Sequence, residues 1–422
     1  MIKTTYSDAK LSERIVSATL PNGLKIFIAE KPDFKSNFAV FGTKYGSIDT
    51  AFSVGDEPYT AVPEGIAHYL EHKLFESEDG DAFTRFSATG ASANAFTSFD
   101  RTCYLFGCAD RFEENLDILL DFVQSPYFTE QTVQKEQGII GQEIRMYDDS
   151  PNWCVLFNML EAMYENHPVR IDIAGTVESI SHITADLLYK CYDTFYNPSN
   201  MFVCIAGNVK ADELMKRIEK AIKPTAPIVV NRADFSEGTD VKCRYVEKRM
   251  EVAKPIFCFG FKEQCEGERT LKERIESGIL MDVLAGGISP LYESLTDKGL
   301  INDEFDSEYF NGNGYSVVLF QGESDDPQAV CDAISAEIER LKRDGIPQEL
   351  FEAARKGTYG MAIKGYNNVE TIAMNLVDCA MAGFGPFDDL EILRNLKKED
   401  VEARLALINT ESSVLSVILP KR

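Results

Sequence analysis

The sequence predicts an α+β protein made of two homologous α+β repeats, each a mostly antiparallel sheet with helices packed on it. The first half begins with two β-rich runs, GLKIFIAEKP and NFAVFGTKYGS, before its helical segments, and the second half begins with CRYVEKRMEVAKPIFCFGFKE. Each half ends as a helix, an Asn-containing turn and a strand, NMFVCIAGNVK or SSVLSVILP. This self-similarity indicates an internal duplication.

The length supports more than one domain, because 422 residues are too many for one ordinary core. The stretch IKPTAPIVVNRADFSEGTD carries two prolines, one glycine and no clear helical period, which is typical of a connection. We therefore expect an N-terminal repeat at 1–221, a linker at 222–240 and a C-terminal repeat at 241–422.

Composition and charge exclude several classes of function. No apolar run is long enough for a bilayer, and MIKTTYSDAKLSER lacks the apolar core of a signal peptide, so we expect a cytoplasmic protein with no membrane partner. The net charge of −25 disfavours nucleic acid and favours basic ligands such as basic peptides, although acid can also serve solubility alone. The ten scattered cysteines include no CxxC pair and predict reduced, mostly buried thiols.

The segment GIAHYLEHKLFE holds two of the four histidines, His68 and His72, with Glu71 between them. Pro63 suits a helix start, and apolar residues then recur at helical spacing: Ile66, Tyr69, Leu70 and Leu74. On this helix the two imidazoles project from one face, one turn apart. Such a pair can bind one Zn²⁺, and Glu71 lies where it could reach a metal-bound water.

This H-x-x-E-H pattern is a metallopeptidase signature, and the alternative is a solvated polar helix face. Two histidines do not complete a zinc site, so a third ligand must come from elsewhere. His167 and His182 are the remaining histidines, and neither has a distinctive context. Glu136 and Glu143 are seven residues apart and share a helix face, but spacing does not choose between them.

The segment GASANAFTSFDRTCYLF predicts a strand, because apolar and polar residues alternate from Asn94 to Leu105. If this strand lies at a sheet edge, an extended peptide can pair with it through main-chain hydrogen bonds. An ordinary sheet strand would carry most of the same residues.

Three segments together resemble the pitrilysin-type zinc peptidases, the family of insulin-degrading enzyme and the mitochondrial processing peptidase: EGIAHYLEHKLFES, GASANAFTSFDRTCYLF and VQKEQGIIGQEIRMYDDSP. The chain is especially similar to the bacterial processing-peptidase-like members. The resemblance covers the first half by motif and the second half by architecture.

The resemblance implies a role for individual residues. It makes His68, His72 and Glu143 the zinc ligands and Glu71 the general base and acid. Glu136 matches a second acidic residue that supports catalysis. The resemblance also assigns a substrate-binding strand that includes Asn94, Ala95 and Phe96.

The implied activity is zinc-dependent endopeptidase action on peptides or unfolded segments inside a chamber formed by paired repeats. The alternative is a non-catalytic structural or interaction subunit of a peptidase-like complex. In SLTDKGLINDEF, Thr296 and Asn302 stand where active relatives carry an Arg and a Tyr. We therefore expect a homodimer, or a heterodimer in which a related chain supplies these two side chains.

Overall fold

The computed structural model describes residues 2–8, 10–78 and 80–421, which form an α+β protein. In these ranges, no helix is both long enough and apolar enough to span a bilayer. The strands are β1 Ile2–Asp8, β2 Glu13–Thr19, β3 Lys25–Glu30, β4 Asn37–Thr43, β5 Ala51–Val54, β6 Thr60–Ala61, β7 Glu76–Ser77, β8 Gly80–Asp81, β9 Ser92–Thr97, β10 Thr102–Cys108, β11 Met201–Gly207, β12 Val230–Arg232, β13 Tyr245–Met250, β14 Ile256–Lys262, β15 Asp306–Gly312, β16 Tyr315–Glu323 and β17 Ser413–Pro420.

The helices lie between groups of these strands, and several follow one another directly. They are α1 Ile66–Leu74, α2 Ala82–Thr89, α3 Phe112–Val123, α4 Glu130–Asp148, α5 Pro151–Met163, α6 Val177–Ile180, α7 Ala185–Phe195, α8 Ala211–Ala221, α9 Leu271–Ala285, α10 Pro290–Asp297, α11 Pro327–Asp344, α12 Gln348–Gly365, α13 Val369–Ala382, α14 Asp388–Asn395 and α15 Lys398–Leu407.

The chain forms two compact units. Unit 1 consists of residues 1–144, 172–234 and 362–388, and unit 2 consists of residues 145–171, 235–361 and 389–422. Each unit therefore includes one segment from the opposite half of the chain. The predicted boundaries at 1–221, 222–240 and 241–422 remain a prediction about the sequence repeats, and the compact units do not follow them.

Unit 1 contains a seven-stranded sheet in the order β1-β2-β3-β11-β4-β10-β9. The pair of β3 and β11 is parallel and the other pairs are antiparallel. Every residue of β4 and β11 is buried, as expected for strands covered on both faces. Helix α13 packs on β11 and β4, whereas α1 packs on the edge strand β9. Strand β12, which lies within the predicted linker, pairs with β5 of the N-terminal half in a second, smaller sheet.

Unit 2 contains a five-stranded sheet in the order β13-β17-β14-β16-β15. Helix α5 packs on β17 and β14, and α9 packs on the edge strand β15. The first pair, β13 with β17, is parallel, and the other pairs are antiparallel. The strands β3-β11-β4-β10-β9 of unit 1 have the same order of one parallel pair followed by antiparallel pairs. The predicted α+β fold with two homologous repeats is thus confirmed.

Helix α5, from the first half of the chain, belongs to unit 2, and α13, from the second half, belongs to unit 1. Packing explains this exchange. Helix α5 buries Met159, Leu160 and Met163, and α13 buries apolar residues that include Leu376 and Val377. Each helix covers central strands of the unit that it joins, and these strands are buried along most or all of their length, so they need cover on both faces. Periodicity predicts that such helices have an apolar face but does not say which sheet that face covers.

Candidate metal centre

Helix α1 begins immediately after Gly65, which has a φ of 86°. A Cβ at this position would lie 2.3 Å from the carbonyl oxygen of Ala174, so both the backbone conformation and the close approach require glycine. The apolar face of α1, which includes Tyr69 and Leu70, is fully buried in the core of unit 1. The start and the rotation of the helix are therefore determined by packing.

Most polar residues of α1 are also buried. His68 and Glu71 are each only 8% exposed, and His72 is partly exposed. The two imidazole rings lie with their centroids 4.6 Å apart. Because buried polar groups are costly unless they are compensated, the solvated-face alternative does not describe this helix.

Helix α4 brings both candidate carboxylates to α1. Glu143 Oε1 lies 3.7 Å from His68 Nε2, and Glu143 Oε2 lies 3.3 Å from His72 Nε2. Glu136 Oε1 lies 3.2 Å from the other ring nitrogen of His72, Nδ1. Glu143 thus faces both histidines through their Nε2 atoms, whereas Glu136 contacts the far side of one ring.

The set of His68, His72 and Glu143 has the donor chemistry and the spacing of a zinc site. One ligand atom from each residue lies within 4.8 Å of the other two. Ligands about 2.0–2.2 Å from a tetrahedral ion lie about 3.3–3.6 Å from one another. The separations between Glu143 and the two imidazoles are close to this spacing, so the three residues fit zinc.

Charges in the site differ sharply between the two histidines. Burial, followed by the neighbouring His72, lowers the pKa of His68 to about 4. Burial also opposes charge on His72, but hydrogen bonds to Glu136 and Glu143 raise its pKa to about 10. The two carboxylates therefore stabilise positive charge at His72, which is the electrostatic property that a cation site needs.

Glu71 lies on α1 beside this group and has a separate environment. Thr97 Oγ1 donates a hydrogen bond to Glu71 Oε2 at 2.6 Å. Burial raises the pKa of the Glu71 carboxyl, and the hydrogen bond from Thr97 opposes that rise. A raised pKa makes the Glu71 carboxylate a stronger proton acceptor, which is the property that a general base needs.

The predicted substrate residues lie on β9, the last strand of the seven-stranded sheet. Asn94 is exposed, and Ala95 and Phe96 are partly buried. The main-chain N–H of Ala95 donates to Asn94 Oδ1 at 2.9 Å. Since α1 packs on this strand, the candidate metal ligands and a sheet edge belong to one local structure.

The two remaining histidines do not join this group. His167 belongs to unit 2, where its Nε2 bonds to the Asn313 carbonyl at 2.9 Å and its Nδ1 accepts from the Val169 N–H at 3.1 Å. Both ring nitrogens therefore have structural partners. His182 is exposed between α6 and α7.

Two residues bear on the predicted need for a partner. Thr296 lies in the last turn of α10, and Asn302 follows that helix. Asn302 Nδ2 donates to Glu323 Oε2 at 2.9 Å, and its Oδ1 accepts from the Glu304 N–H at 3.1 Å. Both ends of the Asn302 side chain are thus used locally.

Thr97 is the contact of Glu71 that the sequence did not reveal. The alternating pattern predicts its strand but not the element that it faces. Its hydroxyl meets Glu71 because α1 and β9, which are separate in sequence, pack together.

The fold and the residues of the site define a class, a two-repeat α+β protein of the peptidase M16 type. Residues 53–177 match the family model described as insulinase, peptidase family M16, and residues 182–358 match the model described as the peptidase M16 inactive domain. The chain belongs to peptidase family M16, the insulinase family. The resemblance to pitrilysin-type peptidases is thus confirmed.

Individual relatives agree with this assignment. The uncharacterized zinc protease YmfH of Bacillus subtilis is 44% identical over 402 residues, which cover 93% of each chain. A crystal structure from Alicyclobacillus acidocaldarius, described as an M16-like peptidase, has a TM-score of 0.94 at 35% identity and covers 99% of this chain and 100% of that one. Pitrilysin has a TM-score of 0.75 at 16% identity over 99% of this chain and 46% of its own, which shows a shared fold alone.

Proposed function

We propose that this chain is the zinc-bearing subunit of an endopeptidase that hydrolyses peptides or unfolded segments. The observation that carries the proposal is that Glu143 of α4 lies close to His68 and His72 of α1, beside Glu71. Helix α1 in turn packs against the edge strand β9. Names of relatives as zinc proteases support the same activity.

His68, His72 and Glu143 would hold the zinc ion. Bound zinc supplies Lewis acidity, which polarises a peptide carbonyl and lowers the pKa of a coordinated water. Glu136 contacts Nδ1 of His72, so it would orient the ring and leave Nε2 available as the ligand atom. The raised pKa of Glu71 suits it to accept a proton during attack and to return it to the leaving amine.

An extended peptide would add to β9 as a further strand. Asn94, Ala95 and Phe96 would face it, and the Ala95 N–H, now bonded to Asn94 Oδ1, would become a donor to the peptide main chain. This mode selects extended chains over folded ones. The net charge of −25 favours basic peptides in particular.

The need for a partner chain follows from the residues at positions 296 and 302. Thr296 and Asn302 cannot replace the guanidinium and the phenol expected from active relatives. We propose that a second, related chain supplies those groups, and that the isolated chain has weak activity or none. The alternative, a non-catalytic subunit, is favoured by one observation: the match of residues 182–358 to a model described as inactive.

Metal analysis with peptide hydrolysis tests the proposal. Wild-type protein loaded with zinc and dialysed should retain close to one equivalent, and Glu143→Gln should lose most of it. Glu130→Gln, on the same helix but bonded to the Ala185 N–H at 3.3 Å, is the matched control and should retain zinc. Equal zinc in all three proteins would remove Glu143 from the ligand set.

Hydrolysis of a basic, unstructured peptide should then be measured for the zinc-loaded chain alone and after mixing with a related chain that carries the Arg and Tyr. Cleavage only in the mixture supports a heterodimer, and cleavage by the pure chain supports a homodimer or a self-sufficient subunit. Full zinc with no cleavage in either case would favour the non-catalytic alternative.

A cytoplasmic location of this protein remains a prediction.

A further inference from the structure

The hydroxyl of Thr97 is a polar group beside the candidate metal centre that the proposed chemistry has not used. Thr97 is the last residue of β9, the strand expected to receive the substrate. Its Oγ1 lies 2.6 Å from Glu71 Oε2, a short distance typical of a hydroxyl that donates to a carboxylate. It thus joins the substrate strand to the proposed base.

The direction of this hydrogen bond follows from the neighbouring hydroxyl. Thr102 Oγ1 donates its only hydrogen to the carbonyl oxygen of Tyr45 at 2.9 Å. Thr102 can therefore only accept at its second contact, the 3.4 Å approach to Thr97 Oγ1. The Thr97 hydrogen thus has two acceptors, and the nearer carboxylate is the stronger one.

The two oxygens of Glu71 consequently have different surroundings. Oε2 is held by Thr97, and among residues 2–8, 10–78 and 80–421 Oε1 accepts no hydrogen bond. A glutamate on a helix has several staggered rotamers, and one fixed oxygen selects among them. Thr97 therefore limits where Oε1 can point while leaving it available for proton transfer.

We infer that Thr97 is a positioning residue that sets the orientation of the Glu71 carboxylate from the substrate-binding strand. This inference rests on the proposed peptidase function. It goes beyond that function because it makes the position of the base depend on β9, so that the strand which pairs with the peptide also holds the group that takes the proton. Displacement of a reacting group by about 1 Å can lower a rate by about 100-fold.

Two substitutions at this position separate the hydroxyl from the shape of the side chain. Thr97→Val keeps the branched shape and the strand preference but removes the donor, whereas Thr97→Ser keeps the donor. Thr60→Val is the matched control, because Thr60 is also on a strand of unit 1 and its hydroxyl accepts from Lys190 Nζ at 2.7 Å. Zinc content and thermal unfolding should be measured for all variants.

For the active form of the wild-type protein, we expect Thr97→Val to lower kcat roughly 10- to 100-fold with little change in KM and in zinc content. Thr97→Ser should recover most of kcat, and Thr60→Val should resemble the wild type. Loss of kcat that serine does not recover, or an unchanged kcat in Thr97→Val, would overturn the inference.

Crystal structures provide a readout that does not depend on activity. Glu71 should lie within hydrogen-bonding distance of residue 97 in the wild type and in Thr97→Ser, and should adopt another rotamer in Thr97→Val. An unmoved Glu71 in Thr97→Val would refute positioning by Thr97. If the zinc-loaded wild type cleaves no peptide with any partner, the peptidase proposal fails, and these structures still decide the inference.

Discussion

Two equivalent regions of this protein place different cations beside their acidic side chains. In unit 1, α1 packs on the edge strand β9, and in unit 2, α9 packs on the edge strand β15. Unit 2 contains a polar cluster, here called the unit 2 cluster, of Glu263, Ser277, Tyr309, Ser316 and Arg404. Its acid, Glu263, accepts a hydrogen bond from the Arg404 guanidinium at 2.8 Å. The acids in unit 1, Glu136 and Glu143, face an imidazole instead.

The unit 2 cluster is a closed network. Arg404 Nε donates to Ser277 Oγ at 3.0 Å, and Tyr309 and Ser316 each donate to Glu263 Oε2 at 2.9 Å. A guanidinium keeps its charge at all relevant pH values and cannot bind a metal as a ligand. This cluster is therefore suited to hold structure.

The unit 1 cluster has exchangeable components. An imidazole can release its proton and offer a lone pair to a metal, so carboxylates that face histidines can accept either a proton or an ion as the compensating charge. The same strand order thus supports a structural charge network in one unit and a candidate metal centre in the other. The difference lies in the type of cation, not in the topology.

The largest expected effect is on the rate of peptide hydrolysis, and it distinguishes the buried acid of α1, Glu71, from the buried acid of α9, Glu276. Glu71→Gln should keep its zinc and lower the rate of peptide hydrolysis by roughly 10²- to 10⁴-fold, because the amide cannot accept the proton. Glu276→Gln, which changes a buried acid of α9 bonded to Lys272, should leave the rate unchanged. Peptide cleavage by the active form, with zinc content measured in parallel, checks both. Activity that survives in Glu71→Gln would remove Glu71 as the base.

The second prediction concerns the structural cluster of unit 2. Arg404→Met should lower the free energy of unfolding by about 3–5 kcal/mol, because it leaves a buried carboxylate without its nearest cation. Arg244→Met is the surface control: Arg244 pairs with Glu411 at 3.2 Å, both side chains are largely exposed, and the loss should be about 1 kcal/mol or less. Denaturant unfolding measures both, and similar losses would mean that the buried pair is not structurally important.

The third prediction concerns ligand-dependent stability. Zinc at about 100 times its Kd should raise the free energy of unfolding by about 2.7 kcal/mol, and a chelator should reverse the gain. Thermal and denaturant unfolding with and without zinc measure it. Arg404→Met should show the same gain as the wild type, and Glu143→Gln should show little. A full gain in Glu143→Gln would place the zinc elsewhere.

The smallest expected effect tests the role of Glu136. Because it contacts His72 Nδ1 and not the predicted ligand atom, Glu136→Gln should lower zinc affinity about 10- to 100-fold and retain full stoichiometry at saturation. Competition with a chromophoric chelator measures the change. Loss of binding even at saturating zinc would instead make Glu136 a ligand.

Much of the site could be predicted because its central parts are local. A spacing of four residues places His68 and His72 on one helix face, and alternation identifies β9 as a strand. The third zinc ligand could not be chosen by spacing, since Glu136 and Glu143 share a face of α4. The choice depends on which ring nitrogen each oxygen approaches, and that depends on how α4 lies against α1.

By itself, the amino-acid sequence determined the α+β composition and the placement of both histidines on one face of α1, because each follows from periodicity within a short segment. It also determined the two repeats, because the same order of elements recurs in both halves. Tertiary structure decided which sheet α5 and α13 cover, which acid faces both Nε2 atoms, and that Thr97 holds Glu71. These outcomes depend on contacts between distant segments, and burial energy favours such contacts without encoding their partners in any local pattern.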